Sequence, residues 1–435
     1  MKFGPGGLLA KMVASPLVVR AASGRSARLE KLLAASGELG YPSAIAARSL
    51  AVSVVLLALL GPLALVLAAT LWVPLGLISL IPLAAYLLPE MRLRDKAAQR
   101  REGVEAELPF FSILANVLGG AGVSLYSVFE SVSEAEIFGS MKSESLMVRR
   151  DVKVFGVDPT SAFERIASVH PSQKFSNFLL GYASKARSGG DLPNYLLGES
   201  GILLRELEEK WARYTARVGV VGSLMVTVFG VVPLLLLVVG FFSPAASVFV
   251  LALFAFAGMP FLAAALVFMA GRMQPMGEGE LAGRGREAAA LLFAALVIGF
   301  LLHLTWIALA AGLCASFGLY GWSVKKQRVR MRQIDDSLPM LLKDLMEFKR
   351  QEYDLGRSVL AIGASARYGP ALDQVVGGLT GQLKMGVPLA EAKSEPGTKM
   401  SRVVFFVLAQ MGHSGGGSVD TLFQLAQYTT KVTEM

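Results

Sequence analysis

Hydrophobic and polar positions alternate along this chain on two very different scales. Three blocks carry no formal charge at all: 41 residues between Arg48 and Glu90, 54 between Arg217 and Arg272, and 37 between Glu287 and Lys325. A bilayer crossing needs about 20 apolar residues, so each block is long enough for two crossings and too long for one. Stretches such as VVPLLLLVVGFF are apolar on every face, which a helix with one wet side would not be. Outside the blocks the pattern changes to helical spacing with polar faces. Phe110, Phe111, Ile113, Leu114, Val117 and Leu118 recur at helical intervals, as do Leu341, Leu342, Leu345, Met346 and Phe348. Strand-like alternation is scarce, so the expected class is all-α: a polytopic membrane protein with helical bundles between the spans.

The flanks set the topology. Every block is bordered by arginines and lysines, and basic flanks stay in the cytoplasm, so each block must leave and return on one side. The expected layout is a cytoplasmic helical segment 1–47, transmembrane hairpin 48–89, cytoplasmic domain 90–217, hairpin 218–271, loop 272–287, hairpin 288–324 and cytoplasmic domain 325–435. The turns of the hairpins fall near 68–72, 242–246 and 302–306. The third hairpin has the least chain for two crossings, and a re-entrant loop is an alternative there.

The two cytoplasmic domains echo each other. ELPFFSILANVLGG at 107–120 and SLPMLLKDLMEFKR at 337–350 share a leucine–proline pair 230 positions apart, and Pro109 and Pro339 suit the first turn of a helix. The same offset aligns FGV at 155–157 with MGV at 385–387. An offset of 227 aligns SGGDLPNYL with GGGSVDTLF. Order and spacing persist over three landmarks, so the unit reads as a hairpin plus a helical domain, duplicated. A complete second unit would be followed by more spans, and the chain is therefore expected to be truncated, split, or to have lost its last hairpin.

Composition adds to this picture without pointing to an enzyme. The net charge of +9 sits mainly near the membrane: residues 1–48 hold 7 basic and 2 acidic groups, whereas 91–217 hold 17 and 16. That distribution fits topology and anionic lipid, not nucleic acid. The single cysteine, Cys314, lies in a predicted span, which excludes a disulfide framework and a thiolate metal site. His170, His303 and His413 are scattered, so no metal or other cofactor is expected. GHSGG at 412–416 fits the nucleophile-elbow pattern, but no histidine follows Ser414 and the preceding VVFFVLAQM reads as a helix, so no catalytic residue is assigned. The alternative function, a multi-span transporter, would want ionisable residues in mid-membrane, and the three blocks hold one histidine, His303, and no acidic residue.

Glycine and serine mark the turns. Gly122, Ser124, Gly156, Ser188, Gly189, Gly190, Gly356, Gly386, Ser414, Gly415 and Gly416 sit at predicted breaks between helices, where glycine admits positive φ and serine caps the next helix. The same turns are candidate docking motifs. In the third hairpin, Ala311 and Ala315 lie on one line and Gly312 and Ser316 on the next, spacing that suits close helix packing and a homodimer.

Two cytoplasmic helical domains, each with LP at the first helix, a mid-domain G-V turn and a late SGG turn, resemble the F-domain proteins of type II secretion systems, which also form the inner-membrane platform of type IV pili, archaeal pili and archaella. The six predicted spans look like the archaeal branch. The resemblance implies a non-enzymatic assembly platform in the cell membrane, engaging a hexameric cytoplasmic ATPase and pilin-like subunits. Arg149, Arg150, Lys349, Arg350 and Arg357 are the charges expected to face that ATPase. The bacterial pattern G-E-x-S-G departs here to MGHSGGG, so no carboxylate metal site is expected at that turn.

Overall fold

The computed structural model describes residues 16–38, 40–70, 81–242, 254, 258–273, 305–365, 367–389, 391–392, 397–413 and 418–434. All regular structure among them is helical. In chain order the helices are α1 Pro16–Ser36, α2 Pro42–Thr70, α3 Ile81–Gly120, α4 Leu125–Glu134, α5 Ser140–Lys153, α6 Pro159–Val169, α7 Gln173–Arg187, α8 Leu192–Val226, α9 Val232–Phe242, α10 Met259–Met273, α11 Thr305–Arg350, α12 Leu355–Ser365, α13 Pro370–Lys384, α14 Lys399–His413 and α15 Val419–Thr433. A π-helical turn, Thr227–Val231, joins α8 to α9. Pro233 lacks an N–H, and Val232 donates five residues back to Thr227, so the ladder slips by one residue just before the proline.

The chain divides into two compact units, one of residues 1–108 and 129–195, the other of residues 109–128 and 196–435. The first is centred on aromatic rings. Phe129 meets Phe163 at 5.5 Å and Phe175 at 6.4 Å between centroids, and Phe163 meets Tyr182 at 5.8 Å. All three phenylalanines are buried. The Phe129–Phe175 and Phe163–Tyr182 pairs are edge-on and the Phe129–Phe163 pair is tilted, and aromatic pairs at these distances add about 0.5–1.5 kcal/mol each beyond area burial. α1 is held to this unit by Leu29 and Leu33 packing on Ala46, Ala47 and Leu93. The second unit has an aliphatic centre, with Leu338, Leu342, Leu345, Ile362, Leu372, Val404, Val407, Leu422 and Leu425 buried.

Local caps explain where the helices begin. Asp158 accepts from the N–H groups of Thr160 at 3.0 Å and Ser161 at 3.3 Å with Pro159 following it, Ser172 accepts from Phe175 at 3.3 Å, and Ser418 accepts from Thr421 at 3.1 Å. α5 is capped from a distance: Glu107 on α3 accepts from the N–H groups of Gly139 at 3.1 Å and Met141 at 2.8 Å. A carboxylate there satisfies orphan donors and opposes the positive end of the helix dipole.

The expectation that Pro109 and Pro339 begin their helices is corrected by the structure. Both lie well inside, in α3 and α11, each of which starts more than 25 residues earlier. A proline costs a helix one backbone bond and a clash on the preceding turn, but upstream turns of forty-odd-residue helices are already formed and carry the chain through.

The turn that follows each of these helices repeats three hydrogen bonds at an offset of 230. Ala121, Gly122 and Val123 donate to Leu118, Gly119 and Leu118, and Gln351, Glu352 and Tyr353 donate to Phe348, Lys349 and Phe348. Val128 then donates to Ser124 as Ser358 does to Asp354. Gly122 has φ 83°, and Glu352 takes φ 63° in its place.

Among the described residues, Leu192–Val238 is the one helix long and apolar enough to cross a membrane, and almost none of its apolar stretch is buried within the molecule. Pro42–Ala58 is a shorter apolar run. The predicted membrane turns and His303 lie mostly outside the described residues.

Candidate functional site

The turn residues singled out by the sequence are engaged in backbone geometry. Gly122, Gly156, Gly189 and Gly386 all have φ between 66° and 86°, a region that favours glycine. Ser124 accepts from the N–H of Ser127 at 3.1 Å and so caps α4. Ser188 closes α7, donating its N–H to Ser184 and its hydroxyl to Lys185, while Gly190 returns its own N–H to Lys185 at 2.9 Å. Gly356 lies in the first turn of α12 and donates to Asp354 Oδ2 at 3.1 Å. Ser414, Gly415 and Gly416 lie outside the described residues. The VVFFVLAQM stretch before them is helical, within α14.

The expected docking charges fall on separate units. Arg149 pairs with Glu134 at 3.1 Å and donates to Ser133 at 3.3 Å. Lys349, Arg350 and Arg357 belong to the other unit, where none forms an ion pair with a described residue. Arg150 takes part in a more particular arrangement. The buried carboxylate of Asp151 accepts from Arg150 at 3.0 Å and from Arg165 at 3.1 Å, and both guanidinium groups stand over the Phe155 ring, 5.6 Å and 5.8 Å from its centre. Phe155 remains 59% exposed and Val154 70% exposed. Met385, 230 positions after Phe155 and likewise just before a left-handed glycine, is 77% exposed.

A buried ionic centre lies in the same unit as Phe155. Arg100 on α3 grips Glu144 on α5 with two hydrogen bonds, 2.6 Å and 2.7 Å, and donates as well to the carbonyls of Ala34 and Ala35 at the end of α1. His170 Nδ1 accepts from the Ser172 N–H at 3.0 Å, while its Nε2 stands 3.6 Å from Glu144. Burial pushes the Glu144 carboxyl up, but the Arg100 bonds and charge, with His170 beside it, outweigh burial and hold it below the ordinary value of 4.5. Among the described residues no group of histidine, cysteine and carboxylates is arranged to hold a metal ion.

Sequence reasoning singled out Arg150 as a candidate docking charge and did not single out Phe155, Met385, Arg100 or Glu144. The FGV and MGV motifs were the available signal for the first two. Comparison with known families addresses the same region. Residues 110–240 match the family of the type II secretion system (T2SS), protein F. The T2SS F stretch therefore begins in the last turns of α3, takes in α4 to α8 and ends within α9, so the apolar helix Leu192–Val238 is part of it. A relative in Methanocaldococcus jannaschii, the uncharacterized protein MJ1286, is 23% identical over 138 residues, 32% of this chain and 23% of that protein. The chain thus matches about a quarter of that relative's length. No solved structure matches.

Proposed function

We propose that the protein is a non-enzymatic membrane platform on which a type IV pilus-like filament or secretion pseudopilus is assembled. The T2SS F match over residues 110–240 is the observation that carries this reading. In it, three hairpins anchor the chain in the cell membrane, and residues 90–217 and 325–435 are two copies of one cytoplasmic helical domain. The hydrogen-bond pattern shared by the turns at 118–128 and 348–358, and the left-handed glycines at 156 and 386, support the duplication. The continuous helix Leu192–Val238 supports direct attachment of the first domain to a span. The domains engage a cytoplasmic hexameric ATPase, and the spans guide pilin-like subunits out of the bilayer.

Arg149, Arg150, Lys349, Arg350 and Arg357 contribute to the ATPase contact, with Phe155 and Met385 as its apolar points. The test is capture of the secretion ATPases of the same organism by the full-length protein in lipid nanodiscs, at low and physiological salt. Salt-weakened binding of one ATPase is expected, because exposed charges steer association and are screened. Absence of binding to every one of them, with the protein folded, counts against the platform reading.

A further inference from the structure

The last helix rests on a surface made by residues of the first copy. Asn116, almost fully buried near the end of α3, donates through Nδ2 to Gln424 Oε1 at 3.2 Å and to Tyr428 Oη at 3.1 Å. Tyr428 Oη shares a further hydrogen bond of 2.7 Å with Ser200 Oγ on α8. Lys431 pairs with Glu208 at 2.9 Å, and a Cβ added at Gly120 would stand 3.4 Å from Thr421 Cγ2. Positions 421, 424, 428 and 431 are spaced three and four apart and so form one stripe along α15. That stripe meets the opening helix and the closing helix of the first domain.

The contact is unequal in a way that selects partners. At the offset of 227, Tyr428 corresponds to Gly201, next to Ser200, so the final helices of the two copies meet at equivalent places with a large residue on one side and small ones on the other. Two first copies facing each other would bring Ser200 and Gly201 together and leave the Asn116 amide without the tyrosine and glutamine it bonds. Two second copies would set tyrosine against tyrosine. A buried amide left without partners is penalised, and such penalties are how interfaces reject wrong pairings.

We propose that the surface around Asn116, Ser200 and Glu208 is a docking site for α15 of the same chain, so that the two cytoplasmic copies pair in cis and the chain supplies its own dimer partner. The inference rests on the duplication proposed above, and it assigns Tyr428 as the residue that determines the pairing.

Oxidative cross-linking of the full chain in its own membrane tests it. With Cys314→Ser as background, Gly120→Cys and Thr421→Cys place two thiols at a spacing close to that of a disulfide. An intrachain bond at monomer mass is expected, forming at a rate independent of protein density in the membrane. A covalent dimer, or no bond at all, overturns the proposal. As control, Phe423→Cys, exposed on another face of α15, replaces Thr421→Cys and should cross-link to Gly120→Cys at least tenfold more slowly. Equal rates would mean that α15 is not docked and also overturn the proposal. Adding Asn116→Ala to the first pair should slow the bond severalfold. Cross-linking reads the pairing alone, and ATPase capture reads the platform, so each can fail without the other.

Discussion

Glu144 shows how one residue ties stability to pH. Its carboxyl sits below its ordinary 4.5 in the folded protein, so the folded state binds that proton more weakly than the unfolded chain does. The stabilisation is complete above the unfolded value and is lost as pH falls below about 4.5 and through the folded value. Thermal melts in detergent between pH 3 and 7 should show the wild-type midpoint dropping over this window, with a smaller drop in Glu144→Gln. Arg100→Ala is the harsher change. It leaves a buried carboxylate without its partner and the end of α1 without its donor, and should cost about 3–5 kcal/mol in denaturant titrations. Neither member of this pair was legible in the sequence, because their 44-residue separation is set by packing and not by a local pattern.

For whole elements, much was legible and the exceptions are instructive. The helical class, the breaks at Gly122, Gly156, Gly189 and Gly386, and the helix before Ser414 follow from periodicity and from glycine's freedom at positive φ. The starts assigned to Pro109 and Pro339 failed because the proline rule is local, while the helices are propagated from upstream. Glu352 escaped notice for the opposite reason: a glutamate gives no sign of a left-handed turn, and only the bonds at the end of α11 impose one. Holding an L-residue there costs about 1 kcal/mol, which glycine relieves. Glu352→Gly should therefore raise stability by about 1 kcal/mol, visible as a higher melting midpoint, whereas Gly156→Ala, at φ 66°, should lower it by about the same amount. A lower midpoint for Glu352→Gly would contradict the left-handed geometry at that turn.

For the molecule as a whole, the platform reading proposed above puts its weight on the exposed turns and not on the cores. Phe155 and Met385 project from ordered turns and contribute little to folding, so Phe155→Ser with Met385→Ser should leave the melting midpoint within about 2 °C of wild type, as surface changes generally do. The same pair should weaken ATPase capture at least tenfold, since apolar anchors carry more of a contact's free energy than charges at its rim. Loss of capture with no change in melting separates docking from folding. α11 adds a consequence of a different kind. Its 46 residues form one helix about 69 Å long, free of charge through Trp322 and charged from Lys325 onward. Such a rod resists bending and twisting along its whole length, with Pro339 as the weakest rung. A rotation imposed near the bundle end would therefore reach the apolar end through one continuous helix, with no loop between the two ends.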